Sequence, residues 1–334
     1  MIRFTTGEMQ MTQQTDFAPR PLRICVKYGS RAETISRNYA AQSVIPERAQ
    51  LPHSEAAAPG FSTHSALNLV DHGGKIITDL VFTNFFVGGA AWNSQDRDNI
   101  DRSLAKAMSD RQLNNVMLQY FRGAPRITST FRPSTSLSDP APAAISQPQV
   151  EQMVQRLQAS GGLNGFDFAN TVFNFMLPRG AVLTLDDGSG VHGSDQTHGS
   201  VDEKASSLDG LGGFHGSVNI GEARIYYSVG VFSEGNNGIV AFDRPWKNVV
   251  ATFYHELNEA RTDADVEEGL VAWVNRERPS EEIGDIPMTL ARANLAKVMK
   301  EVPLTDGSGT VPIQLMWSNA AGAPEGPIAA PHGP

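Results

Sequence analysis

The sequence predicts a single-domain α/β (α+β) fold, a mixed β-sheet backed by helices and joined by long loops, and three observations carry that expectation. The run Gly73–Gly88 is dense in β-branched and aromatic residues and bounded by glycines, as a buried strand is. Directly after it, Ile100, Leu104 and Met108, then Leu113, Val116, Met117 and Tyr120, recur at helical spacing. The chain also holds 31 Gly and 20 Pro among 334 residues, which places many turns and surface excursions between its elements.

Taken in order, residues 1 to 72 read as an N-terminal arm, a first short strand at Leu22–Lys27 and an exposed loop from Ala40 to His64 rich in Ala, Pro, Ser and Gln. Residues 73 to 320 form the main domain. Within it the strand of Gly73–Gly88 leads through Asn93-Ser94 into the helical pattern, and the Pro- and Ser-rich stretch Pro133–Pro148 reads as a connection. A helix from Val150 to Leu157 ends at Ser160-Gly161-Gly162, and a second strand is expected at Ala181–Leu185, with Asp186-Asp187 at its exit. The polar, glycine-rich stretch from Gly188 to Gly213, with His192 and His198, is long for an inert loop and suited to covering a cleft. Ala223–Val231 reads as a strand, Asp243-Arg244-Pro245 as the cap and start of a helix, and Val311–Trp317 as a last strand before a Pro/Gly-rich tail at 321 to 334.

Composition excludes several function classes. The formal charge is -9, and Lys and Arg are scattered without a basic run, so a nucleic-acid partner is not expected. One cysteine, Cys25, rules out an intrachain disulfide and a cysteine-rich zinc cage, which leaves His and carboxylates as the ligands of any metal. No stretch approaches the roughly 20 apolar residues needed to span a bilayer, so no membrane partner is expected. No secretory signal is visible before Pro21; the expectation is a soluble chain, cytoplasmic or secreted with its signal not visible. The oligomeric state is not set by the sequence.

The chemistry-bearing segment is Tyr254-His255-Glu256-Leu257-Asn258-Glu259-Ala260-Arg261-Thr262-Asp263, an HExxE pattern on the helix that starts near Pro245. Val249, Val250, Phe253, Leu257 and Ala260 make one apolar stripe. His255 and Glu259 are four apart, so their side chains stack about 5 to 6 Å apart and both can reach one ion. The arrangement parallels the HExxH zinc peptidases, in which the intervening Glu activates water, here with a carboxylate as second ligand; Glu256 is then the candidate general base. A third ligand is required, and spacing offers Asp263, Asp265, Glu282 and Asp285 without choosing among them. Asp265 matches the third position of the long metzincin motif, but Thr262 stands where that motif has its turning glycine. The bland alternative is a helix face whose acids are merely solvated, with His255 bonded to a neighbour; the predicted burial of the helix argues for partners.

Several blocks together resemble the EXORDIUM-like, phosphate-induced protein family of plants and its bacterial relatives: Gly74 to Trp92, Ala181 to Asp187, Gly213-Phe214-His215-Gly216, His255 to Asp263, Glu282-Ile283-Gly284-Asp285 and Gln314 to Asn319. The resemblance spans residues 73 to 320. It brings no settled catalytic activity, and the secretion and disulfide bonding of plant members do not carry over, because no signal peptide is visible and Gly213 stands before Phe214 where a disulfide-type Cys would be. It narrows the third ligand to Asp285 and His215, ahead of Asp263.

No G-x-S-x-G elbow is present, and Gly210-Leu211-Gly212-Gly213 lacks nucleotide-loop spacing and reads as a flexible turn. His192 and His198, with Asp186, Asp187 and Asp195, have a composition able to bind a second ion such as calcium or zinc. The functional expectation is a metal-dependent hydrolase of the zinc metallopeptidase or amidohydrolase kind acting on a small-molecule or peptide substrate, with Zn2+ on His255, Glu259 and a third residue and Glu256 as base. The alternative is a non-catalytic EXORDIUM-like binding or signalling protein in which the same cluster holds a structural ion, Ca2+ included, or an ion pair.

Overall fold

Along Asp79–Phe86 the pleat sends Phe82, Asn84 and Phe86 to one side and Phe85 to the other, and nearly every position is buried, as in a strand covered on both faces. A computed structural model describes residues 23–34, 60–185, 205–266, 270–276 and 281–332. In chain order the first elements are β1 (Arg23–Val26), β2 (Leu69–Asp71), β3 (Asp79–Phe86), α1 (Ser94–Ser109), α2 (Arg111–Met117), β4 (Thr128–Ser136), β5 (Ala144–Ser146) and α3 (Gln147–Ala159). Then come β6 (Thr171–Met176), β7 (Val182–Leu185), β8 (Ala205–Ser206), β9 (Leu211–Ile220), β10 (Ala223–Gly230) and α4 (Pro245–Thr262). The last are β11 (Trp273–Asn275), α5 (Asp285–Ala291), β12 (Met299–Pro303), β13 (Thr310–Gln314), β14 (Met316–Ser318) and β15 (Ala323–Glu325).

The main sheet is six-stranded, in the order β1-β9-β10-β6-β3-β4. Strands β10, β6, β3 and β4 run parallel, while β9 is antiparallel to β10 and β1 antiparallel to β9. The fold is therefore the mixed α/β arrangement expected. Helices α1 and α4 cover one face, where Phe82, Phe86, Val172 and Met176 meet Ile100, Leu104, Val249 and Phe253. Helix α3 and the small sheet β5-β7-β8 cover the other, where Phe85, Phe173 and Phe175 meet Val150, Val154 and Leu183.

Four expectations need correction. Pro133 to Ser136 is not a connection but the end of β4: Pro133 lacks an N–H, and β4 is an edge strand that does not need one there. Leu211-Gly212-Gly213 is not a flexible turn but the start of β9, paired through Gly213 with Gly230 and Cys25. Val311–Trp317 divides into two strands, because after Gln314 the chain leaves β12 and Met316–Ser318 pairs with Ala323–Glu325 inside the expected tail. Asp243 does not cap α4. Its carboxylate accepts from Lys247 Nζ at 3.0 Å, while Asn248 Oδ1 accepts from the amides of Ala241 and Phe242 and anchors the chain entering the helix. The expected loop site of His192, His198, Asp186, Asp187 and Asp195 lies outside the described residues.

Two glycines set how closely α4 lies on the sheet. A Cβ on Gly230 would come within 2.9 Å of the Phe253 ring, and one on Gly213 within 2.6 Å of the Val229 carbonyl and 3.1 Å of Glu256 Oε1. On the same sheet face a polar row crosses five elements. Ser228 Oγ donates to Asn174 Oδ1 (2.7 Å), Asn174 Nδ2 to Asn84 Oδ1 (2.8 Å) and Asn84 Nδ2 to Asp101 Oδ1 on α1 (2.7 Å), and Ser134 Oγ donates to the other Asp101 oxygen (2.6 Å). His215 is the register partner of Ser228, so the next strand along continues this row with an imidazole.

Candidate metal centre

Helix α4 is buried from Asn248 to Thr262, so its HExxE segment faces protein on every side. His255, Glu256 and Glu259 are fully buried, and His215, on the face of β9 turned to α4, is 1 % exposed. Asp285 enters from the start of α5, and Cys25 from β1 opposite Gly213. Three overlapping groups place one ligand atom per residue within 4.8 Å of one another: His255, Glu259 and Asp285; His215, Glu256 and Glu259; and Cys25, His255 and Glu256.

His255 is oriented by Gln314. Gln314 Nε2 donates to the Gly284 carbonyl at 2.6 Å, which fixes the amide with Oε1 toward the ring, 3.0 Å from His255 Nδ1. Nδ1 is thus the donor, and Nε2 turns to Glu259 Oε2 at 3.0 Å and to Asp285 Oδ1 at 3.8 Å. Neither Nε2 nor Glu259 Oε2 has a partner in hydrogen-bond geometry. The other Glu259 oxygen accepts from the Gly284 amide at 3.1 Å. A Cβ on Gly284 would sit 2.3 Å from His255 Nδ1 and 2.9 Å from Glu259 Oε1, so only glycine lets this turn close over the pair.

His215 presents Nδ1 to Glu256 Oε2 at 3.4 Å and to Glu259 Oε2 at 3.7 Å, while its Nε2 lies 3.4 Å from the Asp263 carbonyl and 3.9 Å from Glu282 Oε2. Glu256 Oε1 is buried without a hydrogen-bond partner. Among the described residues the ion pairs of Glu256, Glu259 and Asp285 are with His215 and His255, and no Lys or Arg approaches them. Arg261, the basic residue nearest in sequence, turns away to Asn114 Oδ1 and the carbonyls of Thr78 and Thr128 and lies over the Phe121 ring.

The electrostatics follow from burial. Burial lifts Glu256 well above the ordinary carboxylate range, against the pull of His255 and with the help of Glu259 and Asp285. Burial, with the Glu259 charge beside it, lifts Asp285 as well. Glu259 goes the other way: burial opposes its charge, but His255, His215 and the Gly284 amide outweigh that and lower it. Burial also opposes the imidazolium of His255, yet the Glu259 carboxylate beside it more than offsets this and raises its pKa above the usual value. Burial pushes the Cys25 thiol up to about 12, which keeps it protonated at neutral pH. Without a cation, burial thus favours the neutral form of Glu256 and Asp285.

Of the residues singled out from sequence, His255, Glu256, Glu259, His215 and Asp285 come together. Asp263 sits at the rim: its Oδ1 accepts from the Ala272 amide at 2.6 Å, and it belongs to none of the three groups. Asp265 is paired with Arg224 at 2.5 Å. The sequence reading missed Cys25 and Gln314 as members of the site. Cys25 carried no local signal, since its place depends on β1 pairing with β9; Gln314 stood in a family-like block but was not assigned a contact.

Fold and site together define a mixed α/β domain with a buried cluster of histidines and carboxylates between its central helix and its sheet. The chain matches no family model, and neither a curated protein nor a solved structure is significantly similar to it. No helix among the described residues is long and apolar enough to cross a membrane.

Proposed function

We propose that the protein is a metal-dependent hydrolase in which His255, Glu259 and Asp285 hold a divalent cation and Glu256 is the proton acceptor. The observation that carries this reading is the orientation of His255: Gln314 Oε1 accepts the hydrogen bond of Nδ1–H, and Nε2, without a partner in hydrogen-bond geometry, faces Glu259 and Asp285. That is the outer-ligand arrangement that fixes the tautomer of a metal-binding histidine. One imidazole and two carboxylates suit zinc, which accepts both donor types. Such a cation supplies Lewis acidity toward water and a substrate carbonyl.

Glu256 follows His255 directly and precedes Glu259 by three residues on the same helix, lies beside His215, and has one carboxylate oxygen without a hydrogen-bond partner. A carboxylate so placed can take up a proton from water and return it. His215 holds Glu256 on the cluster side of β9. The substrate class we propose is an amide or related carbonyl compound, a peptide or a small molecule. The kinship with EXORDIUM-like proteins belongs to this proposal; in its favour, four family-like blocks distant in sequence, carrying His215, His255 with Glu259, Asp285 and Gln314, meet at one cluster.

Metal content by inductively coupled plasma mass spectrometry, wild type beside His255→Ala, tests the centre: about one equivalent of zinc lost in the variant is expected, and no metal in either sinks the reading. Glu256→Gln should then keep the metal and abolish turnover of peptide and ester substrates; retained turnover removes Glu256 from its role. The complete burial of His255, Glu256 and Glu259 favours a second reading, a non-catalytic protein whose ion is structural. It expects His255→Ala and chelation to lower thermal stability, with no substrate turned over by the wild type.

A further inference from the structure

We infer that the cluster is built for two divalent cations bridged by Glu259, with the second held by His215 and Glu256. This rests on the metal reading above and extends it. The geometry repeats itself on the two sides of Glu259. On one side His255 gives Nδ1 to the Gln314 amide oxygen and turns Nε2 toward Glu259 Oε2. On the other, His215 places Nε2 by the Asp263 carbonyl and turns Nδ1 toward Glu259 Oε2 and Glu256 Oε2. In both cases an oxygen acceptor stands at one ring nitrogen and carboxylates face the other, the setting of a metal-ligating imidazole.

The acids themselves point to ligands. Glu259 Oε2, between the two rings, and Glu256 Oε1 are buried without a hydrogen-bond partner. A buried carboxylate oxygen left without a donor is costly, and no Lys or Arg among the described residues reaches Glu256, Glu259 or Asp285 to supply one. One cation at His255, Glu259 and Asp285 leaves Glu256 facing His215; a second cation answers that side. Bridging by one carboxylate is what paired-cation sites use to hold two ions roughly 3.5 to 4 Å apart. When the second position fills, Glu256 changes from proton acceptor to ligand, so excess cation should suppress the turnover proposed for the singly loaded protein.

The test is isothermal titration calorimetry of the chelator-stripped full chain with Zn2+, supported by native mass spectrometry. Wild type is expected to bind two equivalents, and His215→Ala and Asp285→Asn one each. Two equivalents in wild type that persist in His215→Ala would mean a surface site and overturn the inference. One equivalent in wild type, unchanged in His215→Ala but lost in His255→Ala, would overturn it while leaving the single-metal reading standing; none in wild type removes both. Should His215→Ala fail to give a folded protein, wild type loaded with Mn2+ decides by electron paramagnetic resonance: an exchange-coupled spectrum at the second equivalent is expected, and the unchanged spectrum of isolated ions overturns the bridge.

Discussion

Two buried polar assemblies share one face of the main sheet and resolve their burial in opposite ways. The row Ser228, Asn174, Asn84 and Asp101 is closed: each donor finds an acceptor, and the terminal carboxylate takes hydrogen bonds from an amide and a hydroxyl. One strand further on, in the cluster of His215, His255, Glu256, Glu259 and Asp285, Glu256 Oε1 and Glu259 Oε2 are buried without a hydrogen-bond partner. The row needs nothing from outside to be stable, whereas the cluster leaves buried carboxylate oxygens without donors. Burial of polar groups alone therefore does not mark a site; the unmatched count of donors and acceptors does.

The sharpest way to break this comparison is to supply a cation. Zn2+ at about a thousand times its dissociation constant should stabilise the chelator-stripped protein by about 4 kcal/mol, which corresponds to a rise in melting temperature of roughly 10 °C for a domain of this size. EDTA should reverse it, as followed by differential scanning fluorimetry; an unchanged melting temperature would put the cluster in the same class as the row. Next in size, Asn174→Ala strips partners from Ser228 and Asn84 in the core and should cost about 3 kcal/mol in urea denaturation, with the zinc increment intact. Loss of that increment would show that the two assemblies act as one.

A smaller and local effect is expected of Gly284→Ala, whose methyl would fall 2.3 Å from His255 Nδ1. It should weaken zinc binding about tenfold, near 1.4 kcal/mol, while destabilising the metal-free fold less than Asn174→Ala does. The smallest concerns a pair outside both assemblies. Burial alone would raise Asp71, but the two-pronged contact from Arg122, at 2.7 Å to each oxygen, outweighs it and holds the carboxylate below its ordinary value. A folded-state pKa below the unfolded one contributes stability that is full above the unfolded value and lost as pH falls through the folded one. Asp71→Asn should thus cost under about 1 kcal/mol at pH 7 and nothing once the pH lies below both values, as measured by urea denaturation at the two pH values.

What the sequence disclosed and what it withheld divide along the range of the interactions involved. Asp79–Phe86, the helix Pro245–Thr262 and the i to i+4 pairing of His255 with Glu259 were legible because period and spacing are local. Strand β6 went unread: Thr171–Met176 has an asparagine at its centre, and Asn174 reads as a loop residue until Asn84 and Ser228 stand on either side. The glycines opening β9 read as a turn because their purpose, close approach of α4, exists only across the sheet. The place of Asp285 beside His255 was beyond spacing for the same reason, since it depends on a turn pinned by Gln314 and by the Trp317 amide, which donates to the Ile283 carbonyl at 2.8 Å.

The cluster draws on Cys25 near one end of the described chain and Gln314 near the other, with β9, α4 and α5 between. Contacts of such long sequence separation form late, after the entropy of closing large loops has been spent. An ion bound there would join segments far apart in sequence and act as a clasp on the finished topology, slowing its unfolding.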